Sequence, residues 1–531
     1  MNRRRTWLAL LLSGSFLVSG SAAAGAIESS YRTARKVIDG SIASMEADRW
    51  LGRPVPLLME ASGTFFQGAE HQGYAPDEPT PAPFAETWAF DPASGAVGRE
   101  YRQQRPDGTS EWMREIYPGG DELLLIDLNV QRALRLQGSH IARGRDRNLR
   151  RFPPLLLQEA RRNPRALRSM GRYGPFDSVQ AQTRHRESLS LFFGRESRTL
   201  GWVEYLADLP TFGDSTVSWK FSDYRPVEGV GRLPFHYGIF VNEATLTDMT
   251  VQRIVTDPEK VRAFLALPDG IARPESRVIP DNWSPMSRAG VEQIGDGVYR
   301  IANLRTGFHT LFVEFDTFVL MVDAPTGYPL LAELPAGDVM PGYTEMALSE
   351  HAIGLVREAV GDKPLKYLVL THWHNDHAGG LLAYADLHPK LLVHASELEA
   401  VRTFLGSEHT LCPYERPAST FTLESVNKRR VISDGSQRVE LLDVGENPHT
   451  AHMLVVWLPR QKILYVADLL TGSDGTPDEQ HADLNRHFLM WVERRHLKPA
   501  VIVTAHGDGF VYPESRPLVA SQQTLMSPKD P

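Results

Sequence analysis

Hydrophobic positions change their period along this chain, and each change marks a different kind of element. Tyr31, Ala34, Val37, Ile38, Ile42 and Met45 recur every three or four residues, which predicts a helical lead-in over residues 27 to about 60. From residue 87 the rhythm shortens to alternation. Segments 87–90, 112–117 and 122–128 read as strands, punctuated by the turn signals Asp91-Pro92-Ala93-Ser94-Gly95 and Pro118-Gly119-Gly120-Asp121. A strand is expected over 62–68, followed by a proline-rich loop, 76–83, in which regular structure is not expected. A helical interlude follows at 153–170. Strands resume at 188–193, 200–206, 216–221, 235–241 and 246–255, and a short helix, 258–265, closes the region. The pattern predicts a mainly antiparallel β-rich domain over 27–270, either a plain scaffold or a sheet that cradles an acyl chain or a partner.

Pro268-Asp269-Gly270, Pro274 and Pro280 then mark a linker at 271–289. Beyond it the pattern becomes α/β. Strands are expected at 297–301, 310–314, 318–322, 365–370, 391–394, 439–444, 454–458, 463–467 and 500–504, with helices at 346–360, 379–387 and 488–495. Several of these strands are continuous apolar runs, as expected where both faces are covered. A chain of 531 residues is too long for one core, so a second domain over 290–531 fits the length as well.

Composition and charge narrow the setting. Hydrophobic residues at 42% and charged residues at 23% describe a folded chain, and a net charge of -8 gives no general attraction to nucleic acid. Arg161, Arg162, Arg165 and Arg168 read as a solvated face in this acidic setting. Arg3, Arg4 and Arg5, the apolar segment 7–18 and the small residues up to Ala26 read as a signal peptide over 1–26, with cleavage after Ala24 or Ala26. Arg4-Arg5-Thr6-Trp7-Leu8 resembles a twin-arginine signal. An exported, periplasmic protein is expected, with no membrane span in the mature chain and a mature charge of -11. Its single cysteine, Cys412, excludes an internal disulfide and has no evident activating neighbour.

The densest chemistry lies in Thr371-His372-Trp373-His374-Asn375-Asp376-His377-Ala378-Gly379-Gly380, directly after an apolar strand. Neutral imidazoles with a carboxylate suit zinc, and a loop at a strand end can aim them at one point. His372-x-His374-x-Asp376-His377, with His449, Asp468 and His506 each at a later strand end and Asp323 at an earlier one, resembles the metallo-β-lactamase superfamily over about residues 290–512.

That resemblance implies an αββα sandwich with metals at the sheets' edge. It implies His372, His374 and His449 on one zinc, Asp376, His377 and His506 on a second, and Asp468 between them. Counting back from Leu458-Pro459 places the third histidine landmark at His449, leaving His452 as a neighbour that supports a ligand or faces substrate. Asp323 reads as a residue that holds the loop by hydrogen bonds.

Two Zn2+ are the expected cofactors, with iron or manganese as substitutes, and the expected partner is a small-molecule substrate. The implied reaction is hydrolysis of an ester, thioester, lactone or amide by a metal-bridging hydroxide, with Asp376 as catalytic proton acceptor. An aspartate at position 468, where the family's β-lactamases usually carry Cys or Ser, favours the other hydrolytic branches. The acidic charge disfavours a nucleic-acid substrate. The alternatives are an iron-dependent oxidoreductase resembling the family's sulfur dioxygenases, and a non-catalytic periplasmic binding module. Trp373, Asn375, Tyr328, His452 and the segments 328–343 and 471–486 are pocket candidates by position, and Trp373 reads equally as packing beneath the site.

Overall fold

The computed structural model describes residues 20–67, 80–104, 110–129, 131–137, 141–163, 166–184, 187–209, 211–272, 276–278, 289–305, 307–326, 346–410, 421–473, 475–477 and 482–511. Cys412, Tyr328, the 328–343 segment and most of the signal segment lie outside them. The chain divides into two compact units. One comprises Met1–Pro54, Phe152–Tyr205 and Lys220–Leu233; the other comprises Val55–Arg151, Leu206–Trp219 and Pro234–Pro531.

In the first unit the helix Gly20–Ser44 buries Ala34, Ile38 and Ile42 on one face, the stripe its spacing predicts. Ser30 Oγ ties the helix to the strand Arg168–Tyr173, accepting from Ser169 N at 3.0 Å. That strand continues antiparallel through Phe176–Gln182, Ser188–Gly194 and Leu200–Leu209. The helical interlude expected over 153–170 is shorter. The helix Pro153–Arg162 stops before Asn163-Pro164, where proline removes a donor and pushes its predecessor out of helical conformation.

In the second unit an antiparallel sheet runs through Arg132–Gln137, Glu122–Asp127, Ser110–Tyr117, Ala96–Gln104, Thr80–Asp91, Leu57–Gln67 and Ala244–Val255. The strand Thr80–Asp91 enters the segment expected to be an irregular proline loop. Pro81 and Pro83 alternate outward with buried Ala82 and Phe84. They precede Phe84, the first residue paired with the next strand, opposite Gln103, so among the described residues the missing N–H groups fall where the strand has one neighbour. The proline-rich linker likewise contains a strand, Ser276–Val278, paired parallel to Arg132–Gln137.

The C-terminal part is an αββα sandwich. One sheet has the order Gly290–Gly295, Val298–Arg305, Phe308–Glu314, Val319–Val322, Leu365–Val369, Lys390–His394, Thr422–Val426; the other has Arg429–Ser433, Arg438–Asp443, Leu454–Leu458, Ile463–Val466, Val501–Thr504, Phe510–Val511. Alternation explains the apolar runs. Leu320 and Val322 point into the inter-sheet core with Val439, Leu441 and Val503. Val319 and Met321 point the other way, against Ala352, Ile353 and Val356 of the helix Ala347–Val360. The helix Ala482–Arg494 covers the second sheet with Phe488 and Trp491. Among the described residues no helix is long and apolar enough to cross a membrane.

Candidate metal centre

Parallel strands bring the site residues to one edge. Val319–Val322, Leu365–Val369 and Lys390–His394 are mutually parallel, so the loops after them leave the sheet on the same side. In the other sheet Val466 lies opposite Thr504 in a parallel pair, and Asp468 and His506 each stand two residues beyond. Register alone therefore sets them side by side.

After Val369 the chain passes from one sheet to the other: Leu370 N donates to Leu392 O at 2.9 Å, and Thr371 O accepts from Leu454 N at 2.8 Å. His372, Trp373 and His374 are extended, and Asn375–Ala378 forms one helical turn. That turn is seated on the loop after Val322, with Ala324 N donating to His377 O at 2.7 Å and Gly380 N to Ala324 O at 2.9 Å. Gly380 makes the seat possible. A Cβ there would stand 2.4 Å from Pro325 O and 2.2 Å from Ser349 Oγ, so no larger residue fits without moving backbone.

The seven residues expected at the metals come together in two groups: His372, His374, His449 and Asp468, and Asp376, His377, His506 and Asp468. Asp468 belongs to both. Its Oδ2 lies 3.2 Å from His449 Nε2 and 3.8 Å from His372 Nε2, while its Oδ1 lies 2.9 Å from His377 Nε2 and 3.2 Å from His506 Nε2. Asp376 Oδ2 lies 3.4 Å from His506 Nε2 and 3.5 Å from His377 Nε2.

These distances test whether metal fits. In a tetrahedral zinc site with Zn–N of about 2.0–2.1 Å, neighbouring ligand atoms stand about 3.3–3.4 Å apart. The His372 and His449 Nε2 atoms are 3.3 Å apart. Their rings, and those of His374, meet at 72–74°, so the in-plane lone pairs converge instead of running parallel. His377 Nε2 and Asp468 Oδ1 are buried 2.9 Å apart, and neither makes a well-aligned hydrogen bond, so a cation between the rings and the carboxylate would complete both. The donor set and its geometry fit two ions.

Charge distinguishes the groups. Burial, then the neighbouring imidazoles of His377 and His374, hold His372 well below the ordinary histidine range, so the ring is neutral, the form that a metal requires. In the second group burial opposes protonation, but Asp468, Asp376 and Asp323 outweigh it and hold His377 well above that range. Asp468 and Asp376 likewise raise His506 to about 9. Burial would raise Asp376, yet His377 and His506 keep it well below the usual carboxylate range. A cation arriving here displaces protons from rings already paired with carboxylates.

Asp323 orders the first loop. It is fully buried with φ 60, a left-handed conformation that aspartate tolerates. Oδ1 accepts from Thr371 N at 2.8 Å and Thr371 Oγ1 at 2.9 Å, and Oδ2 stands 2.8 Å from His377 Nδ1. A protonated Nδ1 donating to Asp323 leaves Nε2 turned toward Asp468.

Sequence reasoning missed Phe308 and His309. The Phe308 ring packs 5.3 Å from His377 and 5.2 Å from His506. His309 Nδ1 accepts from Asn303 N at 3.0 Å and Nε2 donates to Gly507 O at 2.9 Å, which pins the turn after His506. No periodicity in the sequence singles them out, because the contacts that tie them to His506 and Gly507 span about two hundred residues.

His452 sits elsewhere, with His394 and Asp443. Its Nδ1 is 3.2 Å from Asp443 Oδ1, and its ring stacks on His394 at 4.0 Å and 16°. Near-parallel rings keep their lone pairs in parallel planes, unlike the steep crossings at the main site. Within this trio Asp443 and His452 are hydrogen-bonded, and His394 Nε2 lies 3.7 Å from Asp443 Oδ2. Trp373, read as either pocket wall or packing, is packing: it is 2% exposed and lies against Phe212, Ala400 and Phe404.

Comparison with known proteins agrees with this fold. Residues 309–506 match the family model of the Metallo-beta-lactamase superfamily. Solved structures similar to this chain include a metallo-beta-lactamase from Pontibacter korlensis, 19% identical, covering 45% of this chain and 95% of that one with a TM-score of 0.31. Another is a metallo-beta-lactamase from Hirschia baltica, 16% identical, covering 45% and 99% with a TM-score of 0.29. No curated protein matches the chain.

Proposed function

From a metallo-β-lactamase domain at residues 309–506, we infer that this protein is an exported dinuclear zinc hydrolase acting on a small ester, thioester, lactone or amide. The observation that carries the reading is Asp468, whose two oxygens face two separate sets of ligand atoms. A carboxylate so placed suits a pair of ions sharing one bridge. His372, His374 and His449 would hold one ion, and Asp376, His377 and His506 the other.

Bound there, two zinc ions would supply a water acidic enough to act as nucleophile at neutral pH and would polarise the carbonyl under attack. The chain's own residues supply the rest. Asp323 fixes His377 through Nδ1, so the ring cannot swing away as charge develops. Asp376 is the catalytic candidate: its Oδ2 faces His377 and His506, and its side chain is 31% exposed while His377 beside it is buried. Ionised over the neutral range, it can take the nucleophile's proton and pass it to the leaving group. Export rests on Arg3–Arg5 and the apolar run that follows.

The test is a panel of esters, thioesters, lactones and amides presented to zinc-loaded mature protein, with Asp376→Asn alongside. Turnover of one class, lowered by about 10²–10⁴ in the variant, is expected for loss of a proton-transfer group. Tightly bound iron in native protein, with oxygen consumption and no hydrolysis, would overturn the reading in favour of oxidoreduction.

A further inference from the structure

The segment Leu206–Trp219 lies in the β-rich half of the sequence but belongs to the same compact unit as the C-terminal sandwich. It contains the end of the strand Leu200–Leu209 and the start of Gly213–Val227. Its turn is fastened to the stretch 407–410, which follows the helix Leu398–Leu405. Asp214 N donates to Glu408 O at 2.6 Å, and Asp214 Oδ1 accepts from Thr410 N at 2.9 Å, with Thr410 Oγ1 bonded to Oδ2. His409 Nδ1 and Asp208 Oδ1 stand 2.7 Å apart, both side chains buried. Gly213, at φ +65, lies so close that an added Cβ would come 2.0 Å from Glu408 O. A chance touch between neighbouring loops does not bury a histidine against a carboxylate and exclude a methyl group.

The fastening delivers one side chain to the metal loop. Phe212 packs edge-on against Phe404 at 5.2 Å, and with Leu209 and Ala400 these rings enclose Trp373. Trp373 stands between His372 and His374 in sequence, and its ring meets that of His374 edge-on at 4.5 Å. The second group of ligands is held without this turn: His377 by Asp323, which also reaches His372 through Thr371 Oγ1, and His506 by Phe308 and the His309-pinned turn.

We propose that the 208–214 turn is a positioning device for one metal site only: by clamping Trp373, it sets the separation and aim of His372 and His374. Phe212 is its principal positioning residue. The inference rests on the reading of these histidines as metal ligands, and it assigns the β-rich half a task at the active centre.

The test uses full-length protein stripped by chelator and titrated with cobalt(II), whose absorption reports the geometry of its ligands. Wild type should take up two equivalents. In Phe212→Ala, affinity for one equivalent should fall about ten- to a hundredfold, the range for removing a support behind a ligand. That equivalent's bands should shift, the other should titrate as in wild type, and Phe212→Leu should restore most of the loss. Should Phe212→Ala fail to fold, Asp214→Ala, which removes the acceptor for Thr410, should give the same one-sided loss. Titrations of folded variants that match wild type overturn the proposal, as does equal weakening of both equivalents, which marks general loosening. Wild type that binds no cobalt overturns the metal reading and this proposal together.

Discussion

Two buried side chains outside the seven ligand candidates, Asp323 and His309, hold the loops that carry them. Asp323 was legible as a loop-holding residue because it follows an apolar strand at a position the superfamily shares, and its bonds to Thr371 and His377 supply the physical reason. Asp323→Asn keeps the shape but removes the charge behind His377 Nδ1. Metal affinity at the Asp376, His377 and His506 group should fall about 10–100-fold in chelator competition; unchanged affinity would show that the ring is held by packing alone. His309 was not legible, and it gives a pH dependence. Burial, then Arg300, push its pKa down to about 3, while in the unfolded chain it sits near 6.5. The unfolded state therefore binds a proton that the folded state refuses. His309 favours folding fully above about pH 6.5, and that contribution is lost as pH falls toward 3. Denaturant midpoints of wild type and His309→Gln, compared across that window, should differ by an amount that shrinks as the pH drops; a constant difference would contradict this account.

At the scale of elements, the sequence was most readable where period and burial agree. The runs at 319–322 and 454–458 became strands with both faces covered, and the helix Ala347–Val360 ended at Gly361 as its pattern predicts. It was least readable where neighbours decide. Pro81 and Pro83 argue for a loop until the register shows that, among the described residues, they pair only with the strand Leu57–Gln67. The helix expected through residue 170 ended at Arg162, and Arg168 opened a strand. The glycines after the histidine cluster were read as a helix start, whereas Gly380 is there because Pro325 O and Ser349 Oγ leave no room for a Cβ. Gly380→Ala should destabilise the protein by about 1–3 kcal/mol through overpacking. Thermal unfolding of metal-free protein checks this, and an unchanged midpoint would mean that the 324–326 loop yields freely.

At the scale of the whole molecule, the seven ligand candidates were legible through the family resemblance of the histidine motif, and parallel register then explains why the loops after 365–369, 463–466 and 501–504 share one edge, while His449 comes from the loop between two antiparallel strands. The contacts of the 208–214 turn could not be read, since Phe212 and Asp208 look like ordinary strand-end residues until Trp373 and His409 arrive from some 160 to 200 residues away. The central claim is that one bridging carboxylate unites two ligand groups into a hydrolytic centre. It is tested most directly by returning zinc stepwise to chelator-stripped, full-length protein while following hydrolysis of the best ester, thioester, lactone or amide from the panel. The account predicts uptake of two equivalents, with activity appearing as both sites fill, and loss of the paired uptake in Asp468→Ala. Full hydrolysis by metal-free protein, or no hydrolysis of any of these substrates by protein holding two equivalents, would contradict it.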